Sequence, residues 1–172
     1  MASAAWATPA QVLIIRHGEK PAQGNDLSAK GEERAKALVS YFETSPEVTQ
    51  YGTPVAIYAM APDDSEDPSR RPIETVTPLA DSLGLKILTP FARDEVKDLA
   101  GEILSNPKYD GKMVLVCWEH KKIDKLTHEL GIDPEPDEWP DDVFNQVWEI
   151  DYSQGQVAHF RQYSQHVLPG DH

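Results

Sequence analysis

The stretch V12-L-I-I-R-H-G-E-K-P21 runs four aliphatic residues straight into Arg16, His17 and Gly18. Four apolar residues bounded by a polar turn read as a buried strand. A strand that ends on an imidazole and a guanidinium presents them at the edge of its sheet. Three further apolar runs follow the same pattern, at PVAIYAM (54–60), LKILTPF (85–91) and KMVLVCW (112–118). Between them lie segments of helical spacing: Ser28 to Tyr41, Pro72 to Leu83, Val96 to Leu104 and Lys122 to Leu130. Strand and helix alternate, which predicts an α/β layered domain with a largely parallel sheet. Ser28 followed by Glu32 and Glu33 suits a helix start, and Gly84 and Gly131 suit helix ends.

The last third changes character. VFNQVWEIDY and QVAHFRQY flank Ser153-Gln154-Gly155 and read as a hairpin added antiparallel at one sheet edge. APDDSEDPS and GIDPEPDEWPDD are rich in proline and acid and lack a period. They read as solvated loops, with a lid or specificity loop as the alternative.

Composition bounds the function. A chain of 172 residues is the length of one domain, with residues 1–10 expected to form a flexible N-terminal segment. A net charge of -13 repels polyanions, so neither nucleic acid nor an anionic membrane surface is expected as a partner. The single cysteine, Cys117, has no partner for an internal disulfide, and MASAAWATPAQ lacks a basic n-region and a long apolar run; a cytoplasmic protein is the simplest expectation.

On this layout the reactive residues converge. Arg16 and His17 follow the first strand, Arg70 and Arg71 the second, Asp94 and Glu95 the third, and Glu119 and His120 the fourth. In open α/β sheets, ligands bind outside the carboxyl ends of the strands. Two guanidiniums and an imidazolium match the non-bridging oxygens of a phosphoryl group, while a second, neutral imidazole attacks phosphorus. Gly18 leaves room for close approach of a substrate.

RHGEKP, DLSAKGEERAKAL, RRPIETVTPLA and VLVCWEH, in that order between Val12 and His120, resemble the histidine phosphatase, or phosphoglycerate mutase-like, superfamily. The resemblance implies a three-layer sandwich in which a mostly parallel sheet is flanked by helices. It implies that His17 is the residue phosphorylated in turnover and that Arg16 holds the phosphate. Thr75, four residues on, assigns the second arginine role to Arg71 rather than Arg70, and the second histidine role falls on His120. Leu27, Ser28 and Gly31 match the family's residues before its first helix. The proton donor is expected at Glu95, with Asp94, Asp98 and Glu119 open. Gly18, Lys20 and Glu119 are expected to line the substrate pocket. Lys121 and Lys122 depart from the family pattern, which has a small glycine after the second histidine. His128, His159, His166 and His172 read as structural or surface residues.

Other phosphatase chemistries lack their residues. A cysteine phosphatase needs arginine six residues after its nucleophile, where Cys117 is followed by Ile123; neither a DxDxT nor a GxxxxGK[ST] sequence is present. The acid runs lack histidines, so no metal and no cofactor is expected. The sequence therefore predicts a phosphomonoester hydrolase acting on a small phosphorylated metabolite or phosphopeptide. A phosphoglycerate-type mutase and a non-catalytic phospho-ligand module are the alternatives.

Overall fold

The computed structural model describes residues 8–172. Six strands form one sheet in the order β3-β2-β4-β1-β5-β6, where β1 is Gln11–Arg16, β2 Ala56–Ala59, β3 Ile87–Leu88, β4 Met113–Trp118, β5 Gln146–Ser153 and β6 Gln156–Ser164. β1 pairs parallel with β4, β4 with β2 and β2 with β3, whereas β5 and β6 add antiparallel on the other side of β1. The helices are α1 (Ala29–Thr44), α2 (Arg71–Leu83), α3 (Val96–Ser105) and α4 (His120–Glu129). Of the expected N-terminal segment 1–10, residues 1–7 lie outside the described residues. Pro9 bridges Asp110, and the Ala10 N–H donates to the carbonyl of Lys112.

Side-chain alternation on β1 explains the three layers. Successive strand residues point to opposite faces, and Val12 and Ile14 pack into one core with α3 and α4 residues such as Leu99, Ile103, Ile123 and Leu126. Leu13 and Ile15 pack into the other core with Leu38 and Phe42 of α1 and Val76 and Leu79 of α2. Every residue of β1 and of β4 is buried. Both faces are covered, so the central strands read as unbroken apolar runs rather than alternating ones.

Two elements differ from the sequence expectation. The third strand shrinks to Ile87–Leu88, because the chain leaves the sheet edge at Thr89-Pro90 and turns at Ala92–Glu95. The last helix begins at His120, two residues earlier than the periodicity predicts, with Glu119 as its cap residue. The hairpin turns through Gln154 and Gly155, both at positive φ (54° and 76°), the backbone shape that suits a two-residue connection between twisted strands.

Candidate active site

β1 delivers Arg16 and His17 at the carboxyl edge of the sheet. The pairing with β4 continues one step beyond the strand, with the His17 N–H donating to the carbonyl of Trp118 at 3.2 Å, so the backbone at His17 is fixed by the sheet. The chain then turns against α1. The Ser28 N–H donates to the Glu19 carbonyl at 2.9 Å, and the Ser28 hydroxyl caps α1 by accepting from Gly31 N–H. A Cβ on Gly31 would lie 2.6 Å from the Glu19 carbonyl oxygen, and one on Gly18 would lie 3.0 Å from the Gly31 carbonyl. Both glycines are required by the contact of two backbones, not by an unusual φ. Thr75 completes the seat: its hydroxyl accepts from Gly18 N–H at 2.8 Å and donates to the Arg71 carbonyl at 2.7 Å.

The His17 ring is 3 % exposed, and its Nδ1 lies 2.8 Å from the Gly18 carbonyl oxygen. A carbonyl only accepts, so Nδ1 carries the proton and Nε2 is the bare nitrogen. Burial, together with the nearby charges of Arg16, Arg71 and His120, pushes the His17 pKa down to about 3, against the opposing hydrogen bond to Gly18. His17 is therefore neutral at physiological pH, the form that attacks an electrophile.

Arg16 is fully buried. One of its nitrogens, Nη1, donates to the carbonyls of Pro140, Asp141 and Val143 at 3.3, 2.8 and 2.8 Å. Its guanidinium carbon sits 3.8 Å from the ring centre of Phe144, a cation–π contact. The opposite edge of the guanidinium, Nε and Nη2, has no partner. Arg71 opens α2 and donates from Nη1 to the Gly24 carbonyl at 3.2 Å, while its Nε is buried and unpartnered. His120 opens α4, 5 % exposed; its Nε2 lies 2.6 Å from Asp141 Oδ1, and its Nδ1 is buried with no hydrogen-bond partner.

Among the described residues, six buried side-chain polar atoms lack a hydrogen-bond partner, and four of them are Arg16 Nε, Arg16 Nη2, Arg71 Nε and His120 Nδ1. Buried donors ordinarily find acceptors. Their concentration on the two guanidiniums and the His120 ring around His17 makes this a candidate seat for an anion with several acceptor oxygens. The Nε and Nη2 edge of Arg16 has the fork geometry that suits two oxygens of one phosphoryl group. α2 and α4 also begin at this seat, and the positive ends of helix dipoles favour an anion there.

The remaining sequence-predicted residues divide. Glu119 is beside the site: Oε1 lies 3.4 Å from His120 Nδ1, and Oε2 accepts from Arg93 Nε at 2.9 Å. Glu95 is not brought there. It caps its own turn, accepting from Ala92 N–H at 2.5 Å, and lines a cavity with Met60, Asp63 and Arg93, while Glu119 rather than Glu95 reaches His120. Asp94 pairs with Lys122 at 2.9 Å and Arg93 at 3.3 Å, and Asp98 is exposed on α3. Lys20 is exposed and makes no ion pair among the described residues, whereas its neighbour Glu19 grips the buried Arg34 through both oxygens. Arg70, exposed, precedes α2 without a side-chain capping bond.

Sequence reasoning missed Asp141 and Phe144. Asp141 belongs to the acidic, proline-rich stretch read as a solvated loop, and Phe144 to VFNQVWEIDY, read as a strand although β5 begins only at Gln146; they wall the site through His120 and Arg16. A proline-bounded acid pair ending on an aromatic carries no periodic signal; only the unusual density of Trp, Pro and Phe in WPDDVF set it apart. Among the described residues, no group of three or more His, Cys, Asp or Glu side chains is disposed to hold a metal ion, and no helix is long and apolar enough to cross a membrane.

No protein-family model and no curated protein sequence matches the chain. Solved structures do. The chain superposes on the protein histidine phosphatase SixA complexed with tungstate with a TM-score of 0.57 at 16% identity, covering 90% of this chain and 97% of that one. It superposes on the alpha-ribazole phosphatase from Shigella flexneri with a TM-score of 0.59 at 13% identity, covering 88% and 94%. It superposes on the phosphoglycerate mutase from Bacillus anthracis with a TM-score of 0.55 at 17% identity, covering 90% and 92%. The chain thus shares the fold of these phosphatases and this mutase, the phosphoglycerate mutase-like sandwich that the four motifs between Val12 and His120 imply.

Proposed function

We propose that the protein is a phosphomonoester hydrolase working through phosphohistidine at His17, without a metal or other cofactor, on a small phosphorylated metabolite or phosphopeptide. The observation that carries this reading is the pairing of a neutral His17, bare at Nε2, with three buried guanidinium donors and one His120 ring nitrogen that have no hydrogen-bond partner. That combination is suited to attack on a phosphoryl group whose oxygens the donors would hold. A fold alone does not assign chemistry; the likeness to phosphatases and to a tungstate-binding protein adds only that this scaffold carries such sites elsewhere.

In the proposed sequence, the Nε2 lone pair of His17 forms a bond to phosphorus as the bond to the leaving oxygen breaks. Arg16, Arg71 and His120 stabilise charge on the non-bridging oxygens, and such preorganised donors supply most of the rate enhancement in reactions of this kind. Glu119 takes the place of Glu95 as the acid that gives a proton to the leaving oxygen, because it borders the unpartnered side of His120. An arriving phosphate dianion favours protonation of a neighbouring carboxylate. The resulting Glu119 carboxylate then accepts a proton from water as that water attacks phosphohistidine, which releases phosphate and restores His17. Lys20, exposed two residues after Gly18, stays a candidate contact for the rest of the substrate.

The test is hydrolysis of p-nitrophenyl phosphate in excess chelator by wild type and His17→Ala. The proposal predicts turnover that survives the chelator and is lost in the variant. Equal rates in the two proteins would sink it. A mutase would instead exchange phosphoglycerate isomers faster than it releases phosphate.

A further inference from the structure

We propose that Asp141 is a positioning residue for His120. Its carboxylate holds the ring so that Nδ1 faces the anion seat, and it sustains the doubly protonated imidazolium that this position requires. The inference rests on the reading of the seat as a phosphoryl site.

The two nitrogens of the His120 ring meet different surroundings. Nε2 meets Asp141 Oδ1 at 2.6 Å, while Nδ1 is buried without a hydrogen bond, 3.4 Å from Glu119 Oε1 and within reach of the Arg16 charge. A neutral imidazole has one N–H and one lone pair. With the proton on Nε2 for Asp141, a neutral ring would aim a lone pair at the phosphoryl oxygen and repel it. With acceptors on both sides, both nitrogens must carry protons. A carboxylate on the far nitrogen is the group that favours this state.

Its surroundings show why such help is needed. His120 faces Asp141 from the segment before β5, Glu119 from the start of its own helix, and Arg16 and His17 from the end of β1. Burial lowers the His120 pKa, the bond to Asp141 opposes that, Arg16 adds to it and Glu119 opposes it. The negative charge of Asp141 thus counters the cost of an imidazolium beside a buried guanidinium. Asp141 is held ionised chiefly by its bond to His120, with Lys121 adding to it.

The backbone that carries Asp141 is fixed by the site itself. Arg16 Nη1 takes the carbonyls of Pro140, Asp141 and Val143, while Nε and Nη2 of the same group border the seat. The Asp141 side chain is 84 % exposed, so its carboxylate reaches back to His120 from the solvent side. Water screens it there, and its influence is accordingly modest.

The test follows the His120 ring by NMR across pH in wild type, Asp141→Asn and Asp141→Glu, with tungstate affinity measured by calorimetry on each. In Asp141→Asn the His120 midpoint moves to lower pH and tungstate binds about three- to tenfold more weakly; Asp141→Glu restores both in part. An unmoved midpoint overturns the proposal. So does tighter tungstate binding in Asp141→Asn, the result expected if Asp141 merely blocks the seat. The ring titration needs no turnover: a wild type inactive on every phosphoester would defeat the hydrolase reading, while a shifted midpoint would still support Asp141.

Discussion

His17 donates from Nδ1 to the carbonyl of Gly18 at 2.8 Å, so the residue next in the chain sets which nitrogen of the ring is free. The same glycine gives its N–H to Thr75 and packs its backbone on Gly31. One tripeptide, RHG, therefore provides the unpartnered guanidinium edge, the proposed nucleophile and the group that orients it.

A pH dependence of stability follows from the His17 environment. Its pKa falls from 6.5 to about 3 on folding through burial and the neighbouring Arg16, Arg71 and His120 charges. Between those values the unfolded chain binds a proton that the folded one rejects. Stability is thus complete above pH 6.5 and lost as pH falls toward 3, by at most about 1.4 kcal/mol per pH unit from this group. Urea titrations should show wild type losing stability more steeply over this window than His17→Asn. Parallel curves for the two proteins would contradict the assigned environment.

Gly31→Ala forces a Cβ to within 2.6 Å of the Glu19 carbonyl oxygen, two residues from the nucleophile. Backbone cannot swing aside as a flexible side chain does. A destabilisation of about 1–3 kcal/mol in chemical denaturation is expected, with kcat lowered more than the fold is weakened. Gly101→Ala, where a Cβ meets nothing within 4 Å, should be neutral or slightly stabilising.

The two adjacent arginines should separate cleanly. Arg71 places a buried, unpartnered Nε at the seat, whereas Arg70 is exposed. Arg71→Ala should lower kcat/KM by roughly 100-fold or more through lost charge stabilisation, and Arg70→Ala should leave it nearly unchanged. Steady-state kinetics on p-nitrophenyl phosphate decides the matter; equal losses would misplace the second arginine.

If Glu119 protonates the leaving oxygen, Glu119→Gln should impair alkyl phosphates by roughly 100-fold or more while affecting p-nitrophenyl phosphate little, since p-nitrophenolate leaves without a proton. Glu95→Gln should do neither. The same loss on both substrates would assign Glu119 to binding instead.

The sandwich was legible in the sequence because its central strands are buried on both faces, so VLII and MVLVCW stand out as unbroken apolar runs that end on charged residues. β3 was overestimated because an edge strand receives little from its neighbours, and Thr89-Pro90 removes the chain from the sheet regardless of the apolar residues on either side. Arg16, His17, Arg71 and His120 were legible as strand-end or helix-start residues, positions that local pattern fixes. The environment of the acid was not: Glu95 and Glu119 both follow strands, and the turn at Ala92–Glu95 that occupies Glu95 is a tertiary outcome. Asp141 escaped for a similar reason. Its place depends on main-chain carbonyls captured by an arginine 125 residues away, and carbonyls have no letter in the sequence.

The central claim is that phosphorus becomes bonded to Nε2 of His17 during turnover. Rapid quenching of the protein with a phosphoester under alkaline conditions, which preserve phosphohistidine, followed by fragment mass spectrometry and phosphorus NMR, tests it most directly. The account predicts one phosphoryl group on His17, attached at Nε2, absent from His17→Ala and formed and lost at rates that match kcat. Turnover with no trapped adduct, or with the phosphoryl group on another residue, would contradict it.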